Sequence, residues 1–229
     1  MHTVWSDGSN TTAEMAEAAK KSGMEYIGIS DHSVSASYAG GLTIEDVKRQ
    51  WEEIDRYNSK NHGIYIFKGI ESEIHRDGSL DYDESVLEKF DFVIASIHSL
   101  FTMNQNEATE RIIRAISHPS VTMLGHPTGR LLLAREGYPV DMEKILDACY
   151  ENNIIVELNA NPQRLDIDWR YLRIAKKKKV SISINPDSHS SSTLSFMRYG
   201  VNIARKGWLE RDDIFNTNSL VRMLKKLNK

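Results

Sequence analysis

Cysteine is nearly missing from this chain: Cys149, in "MEKILDACYENN", is the only one among 229 residues. One thiol cannot close an intramolecular disulfide, and nothing beside it suggests a nucleophilic dyad, so a buried small hydrophobe is the expected role. No apolar run reaches the ~18 residues of a membrane span, and no basic-then-apolar leader is present. The cytoplasmic interior is therefore the expected compartment. Excess positive charge is lacking too: 29 lysines and arginines face 32 acids, for a net charge of −3. That balance excludes attachment to nucleic acid through a broad basic surface. It leaves open a small phosphate substrate, or a nucleic-acid end delivered by another domain. No internal repeat, low-complexity block or Pro/Gly/Ser linker divides the chain. With 40% hydrophobic and 27% charged residues, it reads as a single globular domain over residues 1–229.

What is present is alternation. "EMAEAAKKSG" predicts a helix started by Thr11 or Thr12 and stopped at Gly23. "EYIGIS" follows as a strand, and "TIEDVKRQWEEIDRYNSKN" as a helix with Thr43 as N-cap and Asp46 completing a capping box. "IYIFKGIE", "DFVIASIHS", "VTMLGHP", "IIVELNAN" and "VSISI" read as further strands. Between and after them, helices are expected from about Glu107 to Ile116 and in "DMEKILDACYENN", "DWRYLRIAKKKK" and "TLSFMRYGVNIARKG". Six strand–helix units in strict order, with strands apolar on both faces, predict an α/β fold with a parallel sheet. The run Lys176–Lys179 reads as a solvated helix end, where cations suit the dipole, and "LVRMLKKLNK" as an amphipathic surface cap.

The chemistry sits where strands end. Asp31-His32, Glu71, His98, His126, and then Asp187 with His189, follow five of these strands, while Asn159 ends the other. His2 and Asp7 precede the first helix. In a parallel barrel all C-terminal strand ends share one face, so residues far apart in sequence converge there. His62, His75 and His118 follow no strand and read as bland. Several imidazoles with three carboxylates outnumber the four ligands of one zinc ion, and a shared carboxylate suits two or three ions. Mixed nitrogen and oxygen donors favour Zn²⁺, Mn²⁺ or Fe²⁺ over Mg²⁺ or Ca²⁺. Clustered ions of this kind serve phosphoester hydrolysis.

The segments "HTVWSDG", "GISDHS", "GIESEI" with "DGSLDY", "DFVIASIHS", "LGHPTGRLL", "ELNANPQRLD", "INPDSH" and "GVNIARKGWL" occur in order over nearly the whole chain. Together they resemble the PHP (polymerase and histidinol phosphatase) superfamily, with "GHPTGRLL" and "NPQRLD" pointing to the C-terminal PHP domain of bacterial X-family DNA polymerases. The resemblance implies a distorted (β/α)7 TIM-like barrel with a trinuclear metal site. By motif, His2 and Asp187 would serve one ion, bridged by Glu71 to a second ion held by His98 and His126. Asp7, His32 and His189 would hold the third. Glu71, His98, His126 and Asp187 are the expected catalytic set. Arg130 and Arg164, just beyond strand ends, would clamp phosphate through their planar forks or form rim salt bridges. The implied activity is 3′-to-5′ exonuclease or related 3′-end hydrolysis, commonly with Mn²⁺, in a parent chain carrying upstream polymerase domains. A histidinol-phosphatase-like enzyme and a metal-stabilised structural module without turnover are the competing readings.

Two departures stand out. The family opens on a strand ending in His-x-His, whereas this chain starts inside that motif at Met1-His2. Six strands rather than seven are therefore expected, with the first ion short of a ligand and His2 loosely held. "INPDSH" also places Pro186 and Ser188 where small residues are usual, without removing a donor.

Overall fold

A computed structural model of the chain describes residues 1–227. Six strands, β1 (Tyr26–Ile29), β2 (Tyr65–Glu73), β3 (Phe92–Ser96), β4 (Met123–Leu124), β5 (Ile155–Asn159) and β6 (Ile182–Asn185), pair in sequence order. Every neighbouring pair is parallel. The helices between and beyond them are α1 (Thr12–Lys21), α2 (Ile44–Ser59), α3 (Glu84–Leu87), α4 (Gln105–Ile116), α5 (Met142–Glu151), α6 (Trp169–Lys177), α7 (Met197–Lys206) and α8 (Leu220–Leu227). The result is an α/β half-barrel of the TIM-like kind, one strand short of seven, as expected.

Local chemistry sets the helix starts. Thr11, Thr43 and Asn104 each close a capping box with the acid three residues on, Glu14, Asp46 and Glu107. The Asn104 cap moves the start of α4 ahead of Glu107. The stretch expected as one helix from Thr193 instead opens as a 3-10 turn, Ser191–Phe196, before α7. Ser190 accepts the Ser192 N–H there, a serine-to-backbone bond that competes with regular helix. The lysine run is half paired: Lys176 meets Asp213 at 2.9 Å and Lys178 meets Asp147, while Lys177 and Lys179 are exposed as expected. Cys149 is fully buried, and burial pushes its thiol up to about 12, which makes it inert packing.

Inside the curl, the ring of Phe92 lies against the backbone of Gly28 and Gly69. A Cβ on either would stand 2.6 Å or 2.1 Å from that ring, so both positions require glycine. The open edges, β1 and β6, face one another across a seam covered by other parts of the chain. The Ser30 N–H donates to the Met1 carbonyl at 2.9 Å. The side-chain amide of Asn216 reproduces a strand pairing on β6: Ile184 N–H donates to its Oδ1 at 3.1 Å, and its Nδ2 donates to the Ile184 carbonyl at 2.7 Å. The Tyr26 hydroxyl on β1 donates to the Asn218 carbonyl at 2.9 Å. Residues 214–218 thus shield exposed sheet edges. Beyond them α8 plugs the lower mouth, setting Met223 and Leu227 against Phe67, Phe92, Ile94, Met123 and Ile155. The tail expected as an amphipathic cap is thus partly a plug, and its last two residues lie outside the described ones. A cavity of about 330 Å³ remains between plug and upper mouth, apolar below and reaching Glu71, His126 and Asp187 above.

Candidate metal centre

The upper mouth gathers residues from six separated segments. Strand β2 runs two residues beyond the expected end, so Glu71 lies within the sheet, paired with Ile94 of β3. Its carboxylate lies 3.0 Å from His126 Nε2, 3.3 Å from His98 Nε2, 3.4 Å from His2 Nε2 and 3.6 Å from His32 Nδ1. Asp187 Oδ1 is 3.1 Å from His2 Nε2. Asp7 stands 3.4 Å from His189 Nε2, 3.7 Å from His32 Nε2 and 3.8 Å from His2 Nδ1. The His2 ring stacks between His32 and His189, with centroids 4.4 and 4.2 Å away.

Three groups of side chains have ligand atoms all within 4.8 Å of one another: His2, Asp7, His32 and His189; His32, Glu71 and His98; and His2, Glu71 and Asp187. Two of these match the sets carried over by motif, with His2 added to the Asp7 group. In the remaining one His32 takes the place expected for His126, although His126 still touches Glu71. All eight expected metal-ligating side chains therefore converge. His2 is not loosely placed as expected: it is buried, and its N–H donates to the Ser188 carbonyl at 2.8 Å.

The donor set fits divalent metal. Among the described residues, His2 Nδ1, His32 Nδ1 and His126 Nδ1 are buried without a hydrogen-bond partner. An unsatisfied buried polar atom costs roughly 1–3 kcal/mol, and unpartnered nitrogens beside carboxylates, His32 Nδ1 near Glu71 and His2 Nδ1 near Asp7, fit a cation site. Other ring nitrogens are oriented from behind. His98 Nδ1 faces Glu73 Oε2 at 2.9 Å, and His189 Nδ1 faces the Asp187 carbonyl at 3.0 Å, so each turns Nε2 toward the centre. Asp187 itself takes a left-handed backbone conformation (φ 50°), which aspartate tolerates better than most residues.

Electrostatics follow the same geometry. Burial pushes Glu71 upward, but His98 and the hydrogen bond to His126 outweigh it and hold the carboxyl well below the usual range. Burial likewise opposes charge on His98, yet Glu71 and Glu73 raise it to about 10. His32 goes the other way, lowered by burial to about 4 despite Glu71. For His189, burial is overcome by Asp7 and Asp187, which raise it to about 9. A proton would therefore compete with a cation at His98 and His189, while burial keeps the His32 imidazole neutral.

Several supporting residues lie outside the expected site set. Glu73 accepts from the backbone N–H of His98 at 3.0 Å and from the Ser99 hydroxyl at 2.6 Å, with buried Arg111 3.5 Å away. Glu157 accepts from the His126 N–H at 2.7 Å and from Asn185 at 2.9 Å. Asn159 donates to Asp187 at 3.1 Å. Asp31, beside His32 in sequence, turns away and clamps the N-terminal segment through the Thr3 N–H at 2.7 Å and the Thr3 hydroxyl at 2.7 Å, while Gln50 of α2 donates to it at 2.7 Å. A sequence signal existed for Glu73, since it lies two residues from Glu71 and so on the same strand face.

The two arginines differ. Arg130 is committed to the protein, donating to the carbonyls of Arg164 and Leu165 and pairing with Asp168 at 2.8 Å, which is the rim salt bridge. Arg164 instead turns toward the centre, its Nε 3.5 Å from Asp187. His62 packs on Tyr57, His75 pairs with Asp81 at 2.8 Å and His118 accepts from the Ser120 N–H; none joins the cluster.

Comparison with known proteins agrees with this geometry. The family model described as "PHP domain" matches residues 1–161. The chain is 43% identical over 220 residues, 96% of its length, to the DNA polymerase/3′-5′ exonuclease PolX of Bacillus subtilis (strain 168), and it spans 39% of that protein's length. It is 30% identical to a probable phosphatase of Thermoanaerobacter sp. (strain X514), over 95% of this chain and 88% of the relative. Histidinol phosphate phosphatase from Lactococcus lactis, solved with zinc, L-histidinol and phosphate, shares the fold at a TM-score of 0.67 and 16% identity, covering 92% of both chains. The chain therefore belongs to the PHP domain family and is a metal-dependent hydrolase of phosphoesters.

Proposed function

We propose that residues 1–229 form one phosphoesterase domain that hydrolyses the 3′-terminal phosphodiester of a nucleic-acid strand, using two or three divalent transition ions. The observation that carries the metal count is Glu71, one carboxylate within 3.6 Å of four different histidines. A carboxylate so placed is shared between ion sites rather than spent on one. His2 and Asp187 would hold one ion with Glu71, His98 and His126 a second, and Asp7, His32 and His189 a third. Zinc, manganese or iron suits these donors. When bound, such ions lower the pKa of water and neutralise charge on phosphoryl oxygens.

The chain's own groups supply position. Glu73 fixes the His98 ring and Glu157 the backbone of His126, so the imidazoles need not reorganise during turnover. Arg164, on the rim beside Asp187, is placed to meet a phosphate oxygen, while Arg130 holds the Arg164 segment from behind. Similarity to PolX over 96% of the chain supports the nucleic-acid reading, in which polymerase domains of a longer chain deliver the end. A small-molecule phosphatase is the second reading, supported by the probable phosphatases whose length this chain nearly spans.

Purified protein with Mn²⁺ separates these readings when offered 3′-labelled single-stranded DNA, histidinol phosphate and an aryl phosphate. Stepwise loss from the DNA 3′ end, at a kcat/KM above that for histidinol phosphate, is expected. Turnover of histidinol phosphate alone would establish the second reading, and no turnover of any substrate would leave a structural module.

A further inference from the structure

Three loops at the upper mouth expose side chains that normally seek burial. Tyr38, in the loop after β1, is 70% exposed, and its ring centroid lies 6.2 Å from that of His32 and 6.4 Å from that of His98. Leu100, after β3, is 48% exposed, and Leu133, after β4, is completely exposed. Both leucines take left-handed backbone conformations, φ 58° and 64°, which disfavour a side chain of any size.

The Tyr38 loop is not loose. Asp81, reached from the far side of β2, accepts from the hydroxyls of Ser33 and Ser35 and from the Ser35 N–H. The Leu42 N–H closes the loop onto the His32 carbonyl at 2.8 Å. At Gly41 a Cβ would fall 1.9 Å from the Ser33 carbonyl, so the closure needs glycine. A fixed loop therefore presents an aromatic ring to solvent beside two candidate ligands.

With a net charge of −3, the chain has no surplus of cations to bind a phosphate backbone, so affinity for a strand has to come from elsewhere. Aromatic stacking on unpaired bases is the usual non-electrostatic source. We infer that Tyr38 is a specificity-determining residue that stacks on the unpaired terminal base of the strand cleaved at the metal centre, with Leu100 and Leu133 forming apolar walls for neighbouring bases. This rests on the nuclease reading above. Its consequence is a preference for single-stranded or frayed ends that carry a base.

The test measures kcat and KM, with Mn²⁺, on two single-stranded oligonucleotides that differ only in a 3′-terminal thymidine or abasic residue. Wild type, Tyr38→Ala and Tyr38→Trp are compared, with metal content determined for each. Wild type is expected to prefer the base-bearing end. Tyr38→Ala should shrink that preference on the order of tenfold, mainly through KM, and Tyr38→Trp should restore it. An unchanged ratio in Tyr38→Ala, or an equal loss on both ends, overturns the stacking role while leaving the nuclease reading intact. Wild-type protein that cleaves neither oligonucleotide yet hydrolyses small phosphates removes both.

Discussion

The two mouths of the half-barrel use the same strands for opposite purposes. Near their starts, β2, β3, β4 and β5 contribute Phe67, Phe92, Met123 and Ile155, which pack on Met223 and Leu227 of α8. Toward their ends, strands and loops present Glu71, His98, His126 and Asp187, several of them oriented by hydrogen bonds from neighbouring residues. Parallel strands make this possible, because one direction along the chain is one direction in space. Stability and chemistry are thereby separated along a single axis, and substitutions at the two ends should fail in different ways.

The sharpest contrast comes from His126→Ala. Turnover of every phosphoester should be lost, while circular dichroism and the metal-free melting profile stay close to wild type. Unchanged turnover, with metal content verified, would remove His126 from the catalytic set. At the other mouth, Met223→Ala should cost about 2 kcal/mol of stability, read as a shifted denaturant midpoint, with turnover per folded molecule retained. A large loss of turnover in folded Met223→Ala would mean the mouths are coupled through the cavity between them.

How much of this was legible depended on where each signal lived. His32, Glu71, His98, His126, Asp187 and His189 could be read because strand ends in a parallel sheet converge whatever their spacing in sequence. Asp31 shows the limit: it sits at the same strand end as His32 but faces the opposite way, since neighbouring strand residues alternate. Glu157 was hidden because it acts through another residue, and Glu73, though on the strand face of Glu71, could not be told from a ligand, since a carboxylate on a strand looks the same in either role. The part played by residues 214–218 was invisible as well. Asn216 mimics a strand pairing with its side chain, and no local pattern announces that. Arg130 and Arg164 looked equivalent in sequence, and only the fold of the 164–168 loop tells them apart.

A finer probe of the upper mouth is Glu73→Gln, which keeps an acceptor for His98 but removes the charge behind it. Metal affinity should fall about tenfold, the low end for groups that orient a ligand, with the fold intact. No change in affinity would make Glu73 a partner of Arg111 only. The smallest effect concerns Asp168, the N-cap of α6. Burial would raise its carboxyl, but the hydrogen bonds from Arg170 and Arg130 outweigh this and hold it far below the usual range. A depressed carboxylate stabilises the folded state above its ordinary pKa of roughly 3.9 and loses that contribution as pH falls toward the folded value. Asp168→Asn retains the capping oxygen and should therefore be less stable than wild type near pH 7, with the gap narrowing below about pH 4. A gap independent of pH would assign the loss to packing instead of charge.

The central claim, that Glu71 is shared between ion sites, is tested most directly by counting metal. Protein saturated with Mn²⁺ and freed of excess should carry more than one ion per chain by elemental analysis, and Glu71→Gln should lose more than one. One ion or none in the wild-type chain, or the loss of a single ion in Glu71→Gln with the others retained, would contradict it.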